Sequence, residues 1–298
     1  MDGAVWVTYA SSAVAGTTRL TPAPARTMTV ADGLLDGRVG QVVSSAPGIL
    51  CFSYDPALDL GVSVLTGTVW SHFAPANSPL ADGKVAELTV DPRGGVWVRY
   101  ADDGLGIARV TGGKAVNYTG GDTALPVNTV DLVVPEPPDS GLPGDLVWFS
   151  TVDGLTRLDL GSGEWKHFGR KHGQTTDFMN ILGLDQVFAK AILDIRGIAF
   201  TPGTVWVMTP RKLFRFDGVE FRPVSAKFVE GLERLRFSSI SVVSGTVWVS
   251  LSDLDSRKQS ALASYADGIG WRQFPLRDSA VPVAEEVVLC PAGGNNSA

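Results

Sequence analysis

The sequence is short of positive charge and of long apolar stretches, and both shortages limit what the protein can bind. Its 298 residues include 25 Lys and Arg against 31 Asp and Glu, a formal net charge of −6. Nucleic-acid binding requires a basic face, so a phosphate-backbone partner is disfavoured. No apolar stretch reaches the roughly 18 to 20 residues of a membrane span, and residues 1–9 lack the pattern of a signal peptide. We expect a soluble protein with no nucleic-acid partner and no membrane insertion, either cytoplasmic or, if a leader was removed, extracytoplasmic.

Residues that usually carry catalysis are also scarce. The chain has 3 His and 2 Cys, and it lacks a Gly-x-Ser-x-Gly elbow, a phosphate loop, a Cys-x-x-Cys pair and a His-Glu-x-x-His helix. His72 and His167 hold the same place in two Trp-x-His-Phe motifs, which indicates repeat residues, and His172 alone stands outside the repeat. Cys51 and Cys290 suit small buried apolar positions. The sequence therefore predicts no catalytic residues, no metal ligands and no cofactor.

A repeated motif fills the chain. The dipeptide Val-Trp recurs, usually after Gly or Gly-Thr, and one position of each repeat aligns as an anchor within a short apolar strand. The anchors are Trp6, Cys51, Trp97, Trp148, Trp206 and Trp248. Cys51 stands in place of a Trp, and successive anchors are 42 to 58 residues apart. Regular spacing of this size indicates six structural repeats.

Each repeat divides into four short strands. Between residues 84 and 119, apolar alternation is interrupted by Asp-Pro-Arg-Gly, Asp-Gly and Gly-Gly turns, which predicts four strands in series. Trp70, Trp165 and Trp271 fall on the fourth, outer strands of their repeats.

Tandem four-stranded repeats of about 40 to 50 residues are typical of a β-propeller. We predict an all-β fold, a six-bladed β-propeller of four-stranded blades that occupies residues 1–298 as a single domain. The C-terminal strand 285–290 is expected to pair with the N-terminal blade and close the ring. Blade four is expected to carry a helical insert at about residues 169–193, capped near 175–177.

Two repeats resemble a known family. Segment 88–110, with Asp-Pro-Arg-Gly-Gly-Val-Trp at 91–97 and Asp-Gly-Leu at 103–105, is similar to the two-component regulator propeller repeat, and so is segment 146–158. The connector 124–130 resembles the linker of that repeat. The resemblance implies a ligand-sensing domain outside the cytoplasm, commonly ahead of a membrane helix and a histidine kinase. Neither of these lies within the 298 residues.

Departures from the repeat indicate where a ligand binds, because the fold does not require them. Phe178 and Met179 belong to the apolar insert, which either packs across the ring as a plug or acts as a ligand lid or partner-docking helix. Blade six has a long loop at 251–260 that contains Arg257. By propeller geometry, both departures lie on one face.

Further ligand-binding candidates fall on the same face. They are Tyr54, Asp55, Asp102, Asp153 and Arg211. A face with acidic groups on one side and basic groups on the other suits a polar small molecule, a saccharide or a peptide. Ordinary turn chemistry is the simpler interpretation of Asp153, since Asp-Gly favours tight turns.

The central channel offers an alternative site, because six-bladed propellers include metal-dependent lactonases and esterases with ligands on their innermost strands. Aligning the first strands puts Gln41, Glu87 and Glu286 in one ring. Leu132, Gly197 and Ser239 occupy the other positions of that ring. Two carboxylates and an amide are few ligands for a hard cation, so a solvated polar channel is the simpler interpretation.

We predict a non-enzymatic ligand-binding or sensor module that binds a small molecule, saccharide or peptide. One alternative is a metal-dependent hydrolase, lactonase or lyase that uses the channel. The other is a protein-interaction scaffold, which would bind a protein partner through the insert or through connector 135–143. That connector contains four prolines and is expected to protrude as a stiff ridge or a solvated loop.

Overall fold

The fold is known from a computed structural model. The structure describes residues 5–10, 15–20, 26–121, 125–138, 140–141, 145–169, 194–217, 221–224, 234–253, 259–266 and 268–275. This part of the chain contains 23 β-strands and two short 3₁₀ turns, Val30–Asp32 and Pro56–Leu58. The predicted all-β class is confirmed.

The strands form six antiparallel sheets in which consecutive strands are neighbours. Sheet 1 has three described strands, β1 Val5–Ala10, β2 Ala15–Leu20 and β3 Arg26–Met28. Sheet 2 comprises β4 Val39–Ala46, β5 Ile49–Tyr54, β6 Val62–Thr66 and β7 Val69–Phe73. Sheet 3 comprises β8 Val85–Val90, β9 Val96–Tyr100, β10 Ile107–Thr111 and β11 Lys114–Tyr118.

The remaining sheets repeat this plan. Sheet 4 comprises β12 Leu132–Pro135, β13 Leu146–Thr151, β14 Gly154–Asp159 and β15 Trp165–Gly169. Sheet 5 comprises β16 Gly197–Thr201, β17 Thr204–Met208, β18 Leu213–Phe216 and β19 Phe221–Val224. Sheet 6 comprises β20 Leu235–Val243, β21 Thr246–Asp253, β22 Gln259–Ala266 and β23 Gly270–Pro275. The four-stranded repeat is confirmed, and Trp70, Trp165 and Trp271 lie on outer strands as predicted.

Strand register repeats from sheet to sheet. In sheets 2, 3, 5 and 6, the anchors lie opposite residues two places beyond the aligned first-strand positions. The pairs are Cys51 with Val43, Trp97 with Thr89, Trp206 with Ala199 and Trp248 with Ser241. A register shift immediately precedes Gln41, Glu87 and Ser239. Such bulges bend a strand and redirect its side chains, so these three positions are structurally equivalent.

Residue contacts divide the chain into two compact units. Unit 1 comprises Met1–Pro135, Asp145–Phe149 and Arg157–Lys166, and unit 2 comprises Glu136–Gly144, Ser150–Thr156 and His167–Ala298. Within unit 1, apolar faces of sheets 2 and 3 form a core that includes Val62, Leu88 and Val98. Burying these faces supplies most of the favourable free energy of folding.

Unit 2 has its own apolar core. Sheets 5 and 6 pack Trp206 and Met208 against Phe237, Val249 and Trp271. Phe237 lies between Arg236 and Ser238 on its strand, whereas Trp206 lies between the buried Val205 and Val207, so β17 is buried on both faces.

The proline-rich connector differs from the expected ridge. Glu136 is only 2% exposed and Ser140 only 5%. The Ser140 hydroxyl donates a hydrogen bond to the Glu136 carboxylate, and the Ser140 carbonyl accepts one from the Gly203 amide at 2.5 Å. The expectation of a free ridge or a solvated loop is therefore wrong for this part of the connector, because Glu136 and Ser140 are buried and Ser140 bonds to the Gly203 turn. The expected helical insert beyond residue 169 and the closing strand 285–290 lie outside the described residues.

Candidate functional site

Charged loops lie at one end of each sheet. In an antiparallel sheet with consecutive strands, the loop between strands two and three lies at the same end as the connector to the next sheet. We call this the connector end. In unit 1 it includes residues 34–38, 55–61, 80–84 and 101–106, and in unit 2 it includes 194–196 and 209–212.

Tyr54 lies at this end but is 2% exposed. Its hydroxyl is 2.7 Å from the Ser63 hydroxyl and accepts a hydrogen bond from the Leu35 amide at 3.1 Å. Burial raises the pKa of Tyr54. The side chain therefore anchors the connector to the sheet.

Tyr100 makes the same connection in sheet 3. It accepts a hydrogen bond from the Ala81 amide at 2.9 Å and donates one to Asn117 at 2.8 Å. Burial raises the pKa of Tyr100 to about 12. Tyr54 is thus a repeat residue, and the equivalence of Leu-Leu-Asp-Gly-Arg-Val at 34–39 with Leu-Ala-Asp-Gly-Lys-Val at 80–85 is the sequence signal for it.

Asp55 and Asp102 sit in equivalent ion pairs. Asp55 caps the second 3₁₀ turn by accepting the Ala57 amide at 3.0 Å, and its carboxylate is 3.9 Å from Arg38. Asp102 is 2.8 Å from Lys84. The Lys84 ammonium holds the pKa of Asp102 below its ordinary value, and Asp102 raises the pKa of Lys84. Both carboxylates remain exposed to solvent, where such pairs exchange readily with other polar groups.

Asp153 and Arg211 occupy matching turns in unit 2. Each is the second residue after a buried Thr: Thr151 is the last residue of β13, and Thr209 directly follows β17. The hydroxyl of Thr151 accepts the Asp153 amide at 3.2 Å, and that of Thr209 accepts the Arg211 amide at 3.4 Å. The buried Thr therefore fixes the turn, and the residue that follows it varies in charge.

Each unit has its own charge pattern at the connector ends of its sheets. In unit 1, acidic residues outnumber basic ones among the described loops. They are Asp36, Asp55, Asp59, Asp82, Asp102 and Asp103 against Arg38 and Lys84. In unit 2, the described segments at 194–196, 209–212 and 234–236 carry Arg196, Arg211, Lys212, Arg234 and Arg236, and the acidic residues at this end are Asp153, Asp194 and Asp253. Of the other predicted ligand residues, Arg257, Phe178 and Met179 lie outside the described residues.

The channel candidates make internal contacts. The Gln41 amide nitrogen donates to the Leu88 carbonyl at 2.9 Å, and the Gln41 amide oxygen accepts the Leu88 amide at 2.7 Å. Glu87 accepts a hydrogen bond from Arg99 Nε at 3.0 Å. Glu286 lies outside the described residues. Among the described residues, no group of three or more His, Cys, Asp or Glu could hold a metal ion.

Hydroxyl and imidazole groups meet twice in the outer strands. Ser63 Oγ is 2.7 Å from His72 Nδ1, and Thr156 Oγ1 is 2.9 Å from His167 Nδ1. Both Ser63 and Thr156 are fully buried, so neither hydroxyl can reach a substrate. Burial lowers the pKa of His72. These pairs connect the outer strands β7 and β15 to the adjacent strands β6 and β14.

The Cys51 thiol is also buried. It is almost fully buried, and burial raises the pKa of Cys51 to about 12. A nucleophilic cysteine requires the thiolate, so Cys51 has the character of a core residue. The described part of the chain also has no helix long and apolar enough to cross a membrane.

Comparison with known proteins identifies similar folds. No family profile matches the chain, and no curated protein sequence matches it. The extracellular domain of the one-component system BT4673 from B. thetaiotaomicron matches with a TM-score of 0.54 and 14% identity, over 88% of this chain and 34% of that chain. A second structure, described as the extracellular domain of the hybrid two-component system BT4673, gives a TM-score of 0.53 and 14% identity over 92% and 34%.

An enzyme shares the fold as well. Dihydro-heme d1 dehydrogenase NirN matches with a TM-score of 0.51 and 11% identity, over 87% of this chain and 53% of that chain. The chain spans about a third of the length of the extracellular domains it matches. The similarity to them is consistent with the two-component regulator propeller resemblance of segments 88–110 and 146–158. The chain therefore has a propeller-like all-β fold, similar to the extracellular domains of one- and two-component systems.

Proposed function

We propose that this chain is a non-enzymatic sensor-type propeller module that binds a polar ligand at its connector end. The observation that carries the proposal is the set of exposed charged loops at the connector ends of the sheets, where Asp55 and Asp102 form solvent-exposed ion pairs. Gln41 and Glu87 on the inner strands and His72 and His167 on the outer strands are instead engaged in internal hydrogen bonds. Polar groups that the fold leaves exposed are the ones a ligand can contact.

The solved structures with a similar fold support a sensor function. Two of them are described as the extracellular domain of a one-component system and of a hybrid two-component system. Because this chain spans about a third of those domains, the sensor role of the whole protein is part of the proposal. The ligand is a small molecule, a saccharide or a peptide.

The residues we assign to ligand contact are Asp55, Asp102, Asp153 and Arg211. Tyr54 supports them by fixing the connector. Arg257, Phe178 and Met179 complete the proposed site from segments outside the described residues. Charged and amide-like ligand groups would exchange with the exposed ion pairs of Asp55 and Asp102.

We also propose that the six sheets close into a six-bladed ring over residues 1–298. Strand 285–290 would add the fourth strand to sheet 1, which has three in the described part of the chain. Residues from about 169 to 193 would form a helical insert. Removing residues 285–298 is then expected to lower the Tm by several degrees. An unchanged Tm in the shortened chain would contradict closure.

A binding screen tests the function. The full chain is presented to a panel of neutral and charged oligosaccharides and peptides, and hits are measured by calorimetry. Asp102→Asn and Arg211→Ala are expected to weaken binding at least fivefold. The matched controls are Asp145→Asn, an exposed ion-paired carboxylate outside the connector end, and Arg222→Ala on the outer strand β19. Equal affinity in all four variants, or no hit in the panel, would overturn the proposal.

A further inference from the structure

A chain of hydrogen bonds joins the outer strand of sheet 2 to its connector. The Leu35 amide donates to the Tyr54 hydroxyl at 3.1 Å, and that hydroxyl lies 2.7 Å from Ser63 Oγ. Ser63 Oγ in turn lies 2.7 Å from His72 Nδ1. The chain therefore leads from an imidazole on β7, through two buried hydroxyls, to the backbone of the connector at residue 35.

The Leu35 amide sets the direction of these bonds. An N–H group can only donate, so the Tyr54 oxygen is the acceptor of that bond. Among the described residues, Ser63 Oγ is the acceptor left for the Tyr54 proton, and His72 Nδ1 is the one left for the Ser63 proton. Nδ1 can accept only when the imidazole is neutral, with its proton on Nε2.

The surroundings of His72 offer no counter-charge to a protonated ring. The imidazole contacts Ser63 from β6, and on its own strand the Trp70 ring stacks on it, with ring centres 6.0 Å apart. In the described part of the chain His72 forms no ion pair, and burial lowers its pKa. The nearest carboxylate in the chain of contacts is that of Asp36, which acts on Tyr54 and raises the pKa of its hydroxyl.

A protonated His72 does not fit this chain of bonds. Its three contacts hold one proton each. A proton on Nδ1 adds a fourth donor to the same three contacts, so the proton of Tyr54 or Ser63 loses its acceptor. Tyr54 is 2% exposed and Ser63 is fully buried, so water cannot replace that acceptor and the arrangement is unfavourable.

The contact with Leu35 is the one that can open. Ser63 and His72 lie opposite each other in the ladder between β6 and β7, and Tyr54 is paired with Val39 of β4. These three residues are therefore held by backbone pairing as well. Leu35 instead belongs to a loop, and its side chain is exposed. Opening at this point frees the Tyr54 hydroxyl to turn toward solvent.

We propose that the His72–Ser63–Tyr54 chain is a pH switch that loosens connector 35–38 when the imidazole is protonated. The switch follows from the contacts of sheet 2 alone. Arg38 of this connector lies 3.9 Å from Asp55, which we assign to ligand contact. Loosening the connector would then weaken ligand binding in acid, a consequence that rests on the proposed function.

Sheet 3 provides a matched control within the same molecule. The Ala81 amide donates to the Tyr100 hydroxyl at 2.9 Å, and Tyr100 donates to Asn117 at 2.8 Å. Ala108 lies opposite Asn117, as Ser63 lies opposite His72. Because Asn does not titrate, the contact between this connector and its Tyr should not depend on pH.

The test compares the exchange rates of the Leu35 and Ala81 amide hydrogens, measured by NMR on the full chain at pH 7.5 and 5.5. Each rate is divided by its intrinsic value at that pH. We expect the corrected Leu35 rate to rise severalfold relative to that of Ala81 on acidification. A single proton limits the rise to about tenfold per pH unit.

Two variants separate the imidazole from the rest of the chain. In His72→Asn the ratio of the two corrected rates should be the same at both pH values. In Tyr54→Phe, Leu35 should exchange rapidly at both pH values, because the contact is gone. Continued protection of the amides in β5 and β6 shows that each variant is folded.

An unchanged ratio in the wild type, or an equal rise in His72→Asn, would overturn the switch. The measurement needs no ligand, so its failure is distinct from that of the proposed function. If the ratio changes with pH but the panel yields no ligand, the switch stands and the proposed function fails. If a panel ligand binds in an Asp102-dependent way while the ratio stays constant, the proposed function stands and the switch fails.

Discussion

At the scale of single residues, one carboxylate explains the repeat signature Asp-Pro-Arg-Gly-Gly-Val-Trp. The Asp91 side chain is fully buried and accepts hydrogen bonds from the Gly95 amide at 2.9 Å and from Trp97 Nε1 at 3.0 Å. It also pairs with Arg109 Nε at 2.7 Å. The Arg109 guanidinium lies 5.8 Å from the Trp97 ring centre. Turn, anchor and third strand are thus joined through Asp91.

Other sheets keep parts of this arrangement. Arg157 lies 5.7 Å from the ring centre of Trp148 in sheet 4. In sheet 5, the Thr201 hydroxyl accepts the hydrogen bond of Trp206 Nε1 at 2.8 Å in place of a carboxylate. In sheet 2, where Cys51 replaces the Trp, its third-strand partner is Val64. An Arg lies opposite the anchor Trp in sheets 3 and 5, whereas Trp248 of sheet 6 lies opposite Ser264.

Replacing Asp91 should be costly. Asp91→Asn leaves the largely buried Arg109 without a counter-charge, and we expect a loss of about 2 to 4 kcal/mol in the free energy of unfolding. Urea denaturation measures it. The control is Asp145→Asn, which breaks an exposed pair with Arg93 and should cost less than about 1 kcal/mol. Equal losses in the free energy of unfolding in the two variants would contradict the structural role assigned to Asp91.

The buried thiol gives a second prediction at this scale. Because the pKa of Cys51 is about 12, its thiolate is scarce at neutral pH. In a Cys290→Ser variant, Cys51 should not react with a thiol reagent in the native protein over hours and should react rapidly after unfolding. Absorbance of the released chromophore follows the reaction. Fast native labelling at pH 7.5 would show that the strand is accessible.

At the scale of elements, a side chain on one inner strand forms hydrogen bonds with the backbone of the next inner strand. Gln41 pairs with both the amide and the carbonyl of Leu88, as another strand would. It follows a bulge in β4, and the bulge directs its side chain toward β8. An equivalent bulge in β8 precedes Glu87, whose carboxylate pairs with Arg99.

Gln41→Glu tests this contact. A carboxylate still accepts the Leu88 amide but cannot donate to the Leu88 carbonyl, so we expect a loss of about 1 to 3 kcal/mol at pH 7. The loss relative to wild type should shrink at pH 4, where a protonated carboxyl can donate again. Glu87→Gln, at the equivalent position of sheet 3, is the control and should cost less than about 1 kcal/mol. A pH-independent loss in Gln41→Glu would contradict the assignment.

His72, on the outer strand of sheet 2, makes the stability of the protein depend on pH. Burial lowers the pKa of His72 in the folded state below its ordinary value of 6.5. Unfolding therefore takes up a proton below pH 6.5, and stability falls as the pH decreases through this range, by at most about 1.4 kcal/mol per pH unit. Above pH 6.5 the effect vanishes.

His72→Asn isolates this contribution, because Asn117 occupies the equivalent position of sheet 3 and shows that Asn fits there. We expect the stability of the variant to decline less steeply than that of wild type between pH 7.5 and 5.5. Denaturation curves at several pH values provide the measurement. Parallel pH profiles would mean that His72 does not titrate with unfolding.

At the scale of the whole molecule, the sequence predicts what local patterns determine. Val-Trp strands and Asp-Gly or Gly-Gly turns recur within about ten residues, so the four-stranded repeat and the outer positions of Trp70, Trp165 and Trp271 could be read directly. The β-propeller resemblance added the expectation that the repeats belong to one family of sensors.

Contacts between residues that are distant in the sequence could not be predicted from these local patterns. Tyr54 meets the amide of Leu35, and Gln41 meets Leu88, 47 positions away. The Gln41 contact has no local signature, and the Tyr54 contact is indicated only when segment 34–39 is aligned with 80–85. Tyr54 was therefore predicted as a ligand residue and Gln41 as a channel residue. The turn at Glu136–Ser140 was similarly judged from its prolines alone, although its burial depends on the Gly203 turn.

Hydrogen exchange of the full chain, with and without the polar ligand recovered from the panel, tests the central claim most directly. Binding at the connector end predicts added protection in loops 55–61, 101–106 and 209–212. The hairpin turns at 67–68, 112–113 and 202–203 should exchange as before. Protection confined to the inner strands 39–46 and 85–90, or to those hairpin turns, would contradict the account and favour the channel.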